Sequence, residues 1–107
     1  MKTINAIHVD ETDNCVTLTD HAGAGDVVCF LEGGCDRTVS ARESIPKWHK
    51  MAINPIMKNG CVYKYGAVIG VASLDIEPGD HVHIHNIRSP VGAITNRPPL
   101  VPRPRRA

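Results

Sequence analysis

Short runs of alternating apolar and polar residues, each closed by Gly, Pro, Asn or Asp, dominate the chain. Ala6-Ile7-His8-Val9 and Cys15-Val16-Thr17-Leu18-Thr19 read as strands, the second rich in β-branched residues. Residues 22–26 break the pattern as a turn, Val27-Val28-Cys29-Phe30-Leu31 is an apolar run of strand length, and Gly33-Gly34 turns the chain again. Residues 38–43 are expected to return as a short strand. Pro46 argues against a helix through 45–53, where Met51-Ala52-Ile53 can pair as a strand. Residues 54–60 predict one helical turn, with Asn54 as cap, Pro55 at the first helical position and Gly60 at the exit. Cys61-Val62-Tyr63-Lys64-Tyr65 and Val68-Ile69-Gly70-Val71-Ala72 are strands around Gly66, and Glu77-Pro78-Gly79-Asp80 is a turn. His81-Val82-His83-Ile84-His85 alternates strictly and predicts a final strand with Val82 and Ile84 in the core. No internal repeat stands out. The pattern is that of a compact all-β domain.

Length permits one such domain and little more: 107 residues, 11.6 kDa. A body this small has little room for a deep cleft of its own. Residues 97–107 hold Arg97, Arg103, Arg105 and Arg106, four of the eight prolines and no acid. They predict an extended or disordered tail after a domain spanning 1–96. Without the tail the body carries a net charge of −3, which argues against nucleic-acid binding. No apolar run reaches the roughly 18–20 residues of a membrane span. No leader pattern follows Met1, so a cytoplasmic protein with reduced Cys15, Cys29, Cys35 and Cys61 is expected. The cysteines contain no Cys-x-x-Cys pair, which argues against a zinc ribbon.

The chemistry concentrates in His81-Val82-His83-Ile84-His85-Asn86. On a strand the three histidines share one face about 6.5–7 Å apart, close enough for two imidazoles to meet on one metal ion. Imidazole suits Zn, Fe, Ni or Cu, which makes His83 and His85 candidate ligands. The bland reading is a polar outer face. Trp48-His49-Lys50 offers a second candidate, since a His-Lys pair can bind a carboxylate and move a proton near neutral pH. Lys64 is either a substrate cation or an ordinary surface lysine. Gly23-Ala24-Gly25 lacks the following helix of a dinucleotide site, and no serine lies in a nucleophile elbow. Pro99-Leu100-Val101-Pro102 fits only the loose pattern of a peptide ligand.

The ordered series His49-Lys50-Met51-Ala52-Ile53, Ile56-Met57-Lys58-Asn59-Gly60, Val62-Tyr63-Lys64-Tyr65-Gly66, Ile69-Gly70 and Asp75-Ile76-Glu77-Pro78-Gly79-Asp80-His81-Val82-His83-Ile84-His85-Asn86 resembles the SAF domain of the altronate/galactarate dehydratase family. Asp13-Asn14-Cys15-Val16-Thr17-Leu18 is a looser match to the start of that domain, and the likeness spans residues 5–88. Residues 32–44 and the Arg/Pro tail depart from it. The resemblance implies a β-clip fold. It also implies a small subunit separate from a large catalytic subunit, as in sulfolactate sulfo-lyase. The implied chemistry is β-elimination of water or sulfite from a small hydroxy acid such as altronate, galactarate or sulfolactate. A divalent metal, Fe2+ or Mn2+, is implied in the holoenzyme. Carried onto this chain, His49, His83 and His85 are the expected catalytic residues, and Lys50, Lys64 and Asn86 the expected substrate-binding ones. Homo-oligomers are compatible with this. Two other readings compete: a non-catalytic sugar-acid binding module, and a stand-alone metal-binding protein.

Overall fold

A computed structural model of the protein describes residues 2–89, and among these there are nine strands and no helix. They are β1 (Thr3–Ile7), β2 (Cys15–Leu18), β3 (Val27–Glu32), β4 (Cys35–Ser40), β5 (Lys50–Ala52), β6 (Cys61–Lys64), β7 (Ala67–Ala72), β8 (His81–Val82) and β9 (Ile87–Arg88). Six form one sheet in the order β4-β3-β1-β2-β5-β8, and three form a second in the order β6-β7-β9. Among the described residues only the β1–β3 pairing is parallel. The tail at 97–107 and the boundary expected at 96 lie outside the described residues.

The alternation of β2 and β5 feeds two cores at once. Val16 and Leu18, with Met51, join Ile4, Val28, Phe30, Ile45 and Ile53 on one side. Cys15 and Ala52, partners across the ladder, join Ile56, Val62, Ala72, Ile76 and Val82 on the other. Both strands are therefore almost wholly buried, which fixes their register, because a one-residue slip would exchange the two cores.

Four segments of the chain share one local design. An apolar bridging residue is followed by a turn closed by an i+3 to i hydrogen bond and then by a strand. The bridges are Ala22 with Ile45 and Ile56 with Ile76. The closing bonds run from the N–H of Asp26, His49, Gly60 and Asp80 to the carbonyls of Gly23, Pro46, Met57 and Glu77, at 3.0, 3.1, 2.7 and 2.9 Å. The third turn residue has positive φ each time: Gly25 at 92°, Trp48 at 68°, Asn59 at 74° and Gly79 at 95°. That is the requirement of a type II turn. The sequence shows no repeat because only this backbone conformation recurs. The third of these turns replaces the helical turn expected at 54–60. Asn59 leaves the helical region, and Ile56 bonds to Ile76 across the fold rather than up a helix axis.

Other boundaries shift modestly. The first strand begins at Thr3 and the fourth at Cys35. The largest departure is at the end. β8 stops at Val82, residues 83–86 form a loop, and Ile84 is 82% exposed instead of buried. Asn86 then turns the chain into β9 on the other sheet. The two sheets are clipped together by Asp13-Asn14-Cys15. The buried Asp13 carboxylate accepts the N–H groups of Tyr65 (2.9 Å) and Gly66 (2.8 Å). The Asn14 side chain bonds the Cys61 carbonyl and the Tyr63 N–H, and the Cys15 thiol donates to the Tyr63 carbonyl. All four cysteines are free, as expected of reduced thiols. Among the described residues no helix is long and apolar enough to cross a membrane.

Candidate functional site

The edge formed by β5 and β8 gathers four of the six histidines. Their meeting follows from register. Met51 faces His81 across the ladder and Lys50 faces Val82. One step further puts His49 opposite His83, just as the strands separate. His49, Met51 and His81 share one face of the sheet, and the following loop brings His83 and His85 back over it.

The rings pack closely. The His49 centroid lies 5.0 Å from that of His81 and 4.6 Å from that of His83. His81 lies 5.3 Å from both His83 and His85. His49 Nδ1 and His81 Nε2 are 2.8 Å apart and share one proton as donor and acceptor. Burial, and then the neighbouring imidazoles of His49, His85 and His83, push the His81 pKa down to about 4, against a weaker opposite pull from Glu43. His83 is also held below its ordinary value, first by desolvation and then by His49, Lys50 and His85. His81 and His83 are therefore predominantly neutral near pH 7, free to accept a proton or to donate a lone pair to an ion.

The loop is braced from within. Asn86, 3% exposed, accepts the His83 N–H on Oδ1 at 2.9 Å and donates Nδ2–H to the His81 carbonyl at 2.7 Å. The Asn86 and Ile87 N–H groups both reach the His83 carbonyl. On the outside, Glu43 accepts the His81 backbone N–H and Arg42 pairs with Asp80 at 3.0 Å. Two sets of donor atoms lie within 4.8 Å of one another: His49, His81 and His83, all half-buried, and Glu43, His81 and His85, more exposed.

The structure thus joins His49, His83 and His85; Lys50 influences the protonation of His83, while alternation along β5 turns its side chain to the face opposite His49. The structure divides the expected ligand pair, because His83 and His85 fall in different donor sets. It adds His81, the residue common to both sets, and Glu43, which is distant in sequence. Asn86 was expected to bind substrate, but its amide makes loop contacts with His81 and His83. Lys64 stands apart on β6. It is neither surface lysine nor part of the histidine cluster: it is 4% exposed, with Nζ 3.5 Å from the Tyr65 ring centroid and no hydrogen-bond partner. Trp48, at positive φ and 59% exposed, rims the site beside His49. A bulky residue in that conformation is strained, a feature that clusters at functional sites.

Comparison with known proteins gives a consistent picture. The model of the altronate/galactarate dehydratase SAF domain matches residues 4–90. Altronate dehydratase of Escherichia coli (strain K12) is 44% identical over 54 residues, half of this chain but only 11% of that protein. The altronate dehydratase of Bacillus subtilis (strain 168) is 38% identical over 52 residues, 10% of its length. The chain therefore spans about a tenth of those two relatives. The (2R)-sulfolactate sulfo-lyase subunit alpha of Chromohalobacter salexigens is 38% identical over 76 residues, 69% of this chain and 81% of that subunit.

Proposed function

The chain belongs to the altronate/galactarate dehydratase SAF domain family, and from that premise we propose that it is the small subunit of a two-chain lyase. The reaction is β-elimination of water or sulfite from a small hydroxy acid. The large subunit supplies most of the pocket, and this chain presents its histidine edge to it. The observation that carries the reading is the set of half-buried imidazoles at the end of the β5–β8 edge.

In this reading an imidazole of the edge, His83 or His49, takes the proton from the carbon beside the substrate carboxylate. The C–H electron pair becomes the new C=C bond, and the C–O or C–S bond breaks toward the leaving group. His85, more exposed, returns a proton to departing hydroxide. The Lys50 ammonium pairs with the carboxylate as charge builds there. Lys64 offers a second ammonium to an anion that displaces Tyr65. A divalent ion of the holoenzyme, Fe2+ or Mn2+, would when bound add positive charge at the carboxylate. Asn86 holds the loop rather than touching substrate.

The test is an elimination assay with the full chain, the large subunit, and both together, on altronate, galactarate and (2R)-sulfolactate with Fe2+ or Mn2+. Activity that needs both chains and falls at least tenfold in His49→Ala or His83→Ala supports the proposal. Full activity of the large subunit alone refutes it. Tight binding of a sugar acid by this chain without any partner would instead favour a non-catalytic binding module.

A further inference from the structure

We infer that His49, His81 and His83 together form a binding site for one borderline divalent transition ion, complete within this chain and open to a carboxylate ligand. Imidazole donors of this kind select Zn, Ni, Cu or Fe over Mg and Ca, which require oxygen.

Three independent features of the cluster fit an ion. The first is spacing. Nitrogens bound to one ion at about 2.0–2.1 Å lie roughly 2.9–3.4 Å from each other. His49 Nδ1 and His81 Nε2, at 2.8 Å, need to part by only a few tenths of an ångström. The second is ring placement. A ring bound through nitrogen has its centre about 3.2 Å from the ion. Centroids 5.0, 4.6 and 5.3 Å apart all lie within reach of a single point at that distance. The third is an available lone pair. The His83 side chain makes ring contacts with His49 and His81 but no side-chain hydrogen bond among the described residues, so its nitrogens are not committed.

The loop brace supplies what such a site needs behind its ligands. Asn86 bonds the backbone of both His81 and His83, fixing the separation of those two ligands, and the β5–β8 register fixes His49 against them. The alternative set of Glu43, His81 and His85 shares His81 with this one. It is more exposed, and Glu43 already accepts the His81 N–H. Three protein ligands leave at least one coordination position open, the arrangement of catalytic rather than structural ions. Lys50 is close enough to His83 to influence its protonation. The inference rests on this chain alone: where it holds, the lone pairs of His49 and His83 go to the ion and the proton-accepting role passes to His85, and its failure leaves the lyase proposal as stated above.

The test uses the full chain without an affinity tag. Zn2+ binding is measured by titration calorimetry and Co2+ binding by its visible ligand-field absorption, with no partner and no substrate. The expected result is one ion per chain, with affinity lowered at least tenfold in each of His49→Gln, His81→Gln and His83→Gln. His8→Gln, whose imidazole bonds the Asp13 carbonyl far along the chain, keeps full affinity. Far-ultraviolet circular dichroism confirms that each variant is folded; should a Gln variant unfold, the Asn variant at that position replaces it. Absence of saturable uptake overturns the inference. So does uptake that survives all three substitutions, or uptake that His85→Gln abolishes while His49→Gln does not.

Discussion

Replacing Asn86 by alanine separates a brace from a substrate contact. The side chain spans the loop, accepting the His83 N–H at 2.9 Å and donating to the His81 carbonyl at 2.7 Å, and it is buried. Alanine leaves one donor and one acceptor without partners, and because both are only part-buried each costs about 1–2 kcal/mol, the lower part of the usual range. A loss of about 2–4 kcal/mol is expected, a large share of the roughly 5–15 kcal/mol that hold a domain of this kind. With a urea m-value of about 1–1.5 kcal/mol/M, the midpoint falls by about 2 M. Circular dichroism of the full chain in urea reads this directly. Asn86→Asp sharpens the test. Its carboxylate keeps an acceptor for the His83 N–H but sets a second oxygen against the His81 carbonyl. Once protonated, that oxygen can donate, so the deficit against wild type should narrow as pH falls from 7 toward 4. Asn86→Ala within about 0.5 kcal/mol of wild type, together with a raised KM in the two-chain assay, would refute the brace and restore Asn86 as a substrate ligand.

Three further outcomes are expected. Gly79→Ala should cost about 3 kcal/mol or more in urea unfolding, since φ is +95° and the new Cβ would overlap the Ser40 carbonyl oxygen; a loss below 1 kcal/mol would mean that the turn relaxes freely. Lys64→Met should leave the isolated chain as stable or about 1 kcal/mol more stable, because it removes a buried ammonium whose compensation is one aromatic ring, yet lower activity with the large subunit; a clear loss of stability would show the ammonium to be satisfied. Burial pushes the Cys15 thiol up to about 12 from 9.0, so iodoacetamide should label exposed Cys35 in the native chain and Cys15 only after unfolding. The raised folded pKa stabilises the chain fully below pH 9, and that stabilisation is lost as pH rises from about 9 to about 12. The stability advantage of wild type over Cys15→Ala should therefore shrink by about 1.4 kcal/mol per pH unit in that window, and a constant difference would contradict it.

Strand positions were legible where alternation met a β-branched run, as in Cys15–Leu18 and Val27–Glu32. The turns were legible where glycine marked them, at Gly25, Gly66 and Gly79. They were not where Asn59 and Trp48 took the same left-handed conformation, because neither residue declares a turn as glycine does. Asn54 and Pro55 carry helix-start chemistry that the Ile56–Ile76 bridge overrides. Local preference at 54–60 amounts to tenths of a kcal/mol per residue. Burying Ile56 and Ile76 together in the second core is worth about 1.5–3 kcal/mol for each side chain. The tertiary contact therefore decides the conformation.

The site was half legible for a related reason. Residues 81–85 alternate perfectly, and period-2 reasoning makes them one strand with Ile84 inside. A strand, however, persists only while a neighbour pairs with it. β5 is three residues long and offers β8 just two paired positions. Beyond them no ladder partner satisfies the backbone. Asn86 takes that role by closing the chain on itself, and Ile84 turns outward. Continued pairing would have lined up His81, His83 and His85 along a flat edge, with neighbours about 6.5–7 Å apart. The early end of β8 folds the chain back on itself, so that the His81 ring lies 5.3 Å from those of both His83 and His85. The length of β5 and the amide of Asn86, more than the His-x-His spacing, therefore convert a row of histidines into a cluster.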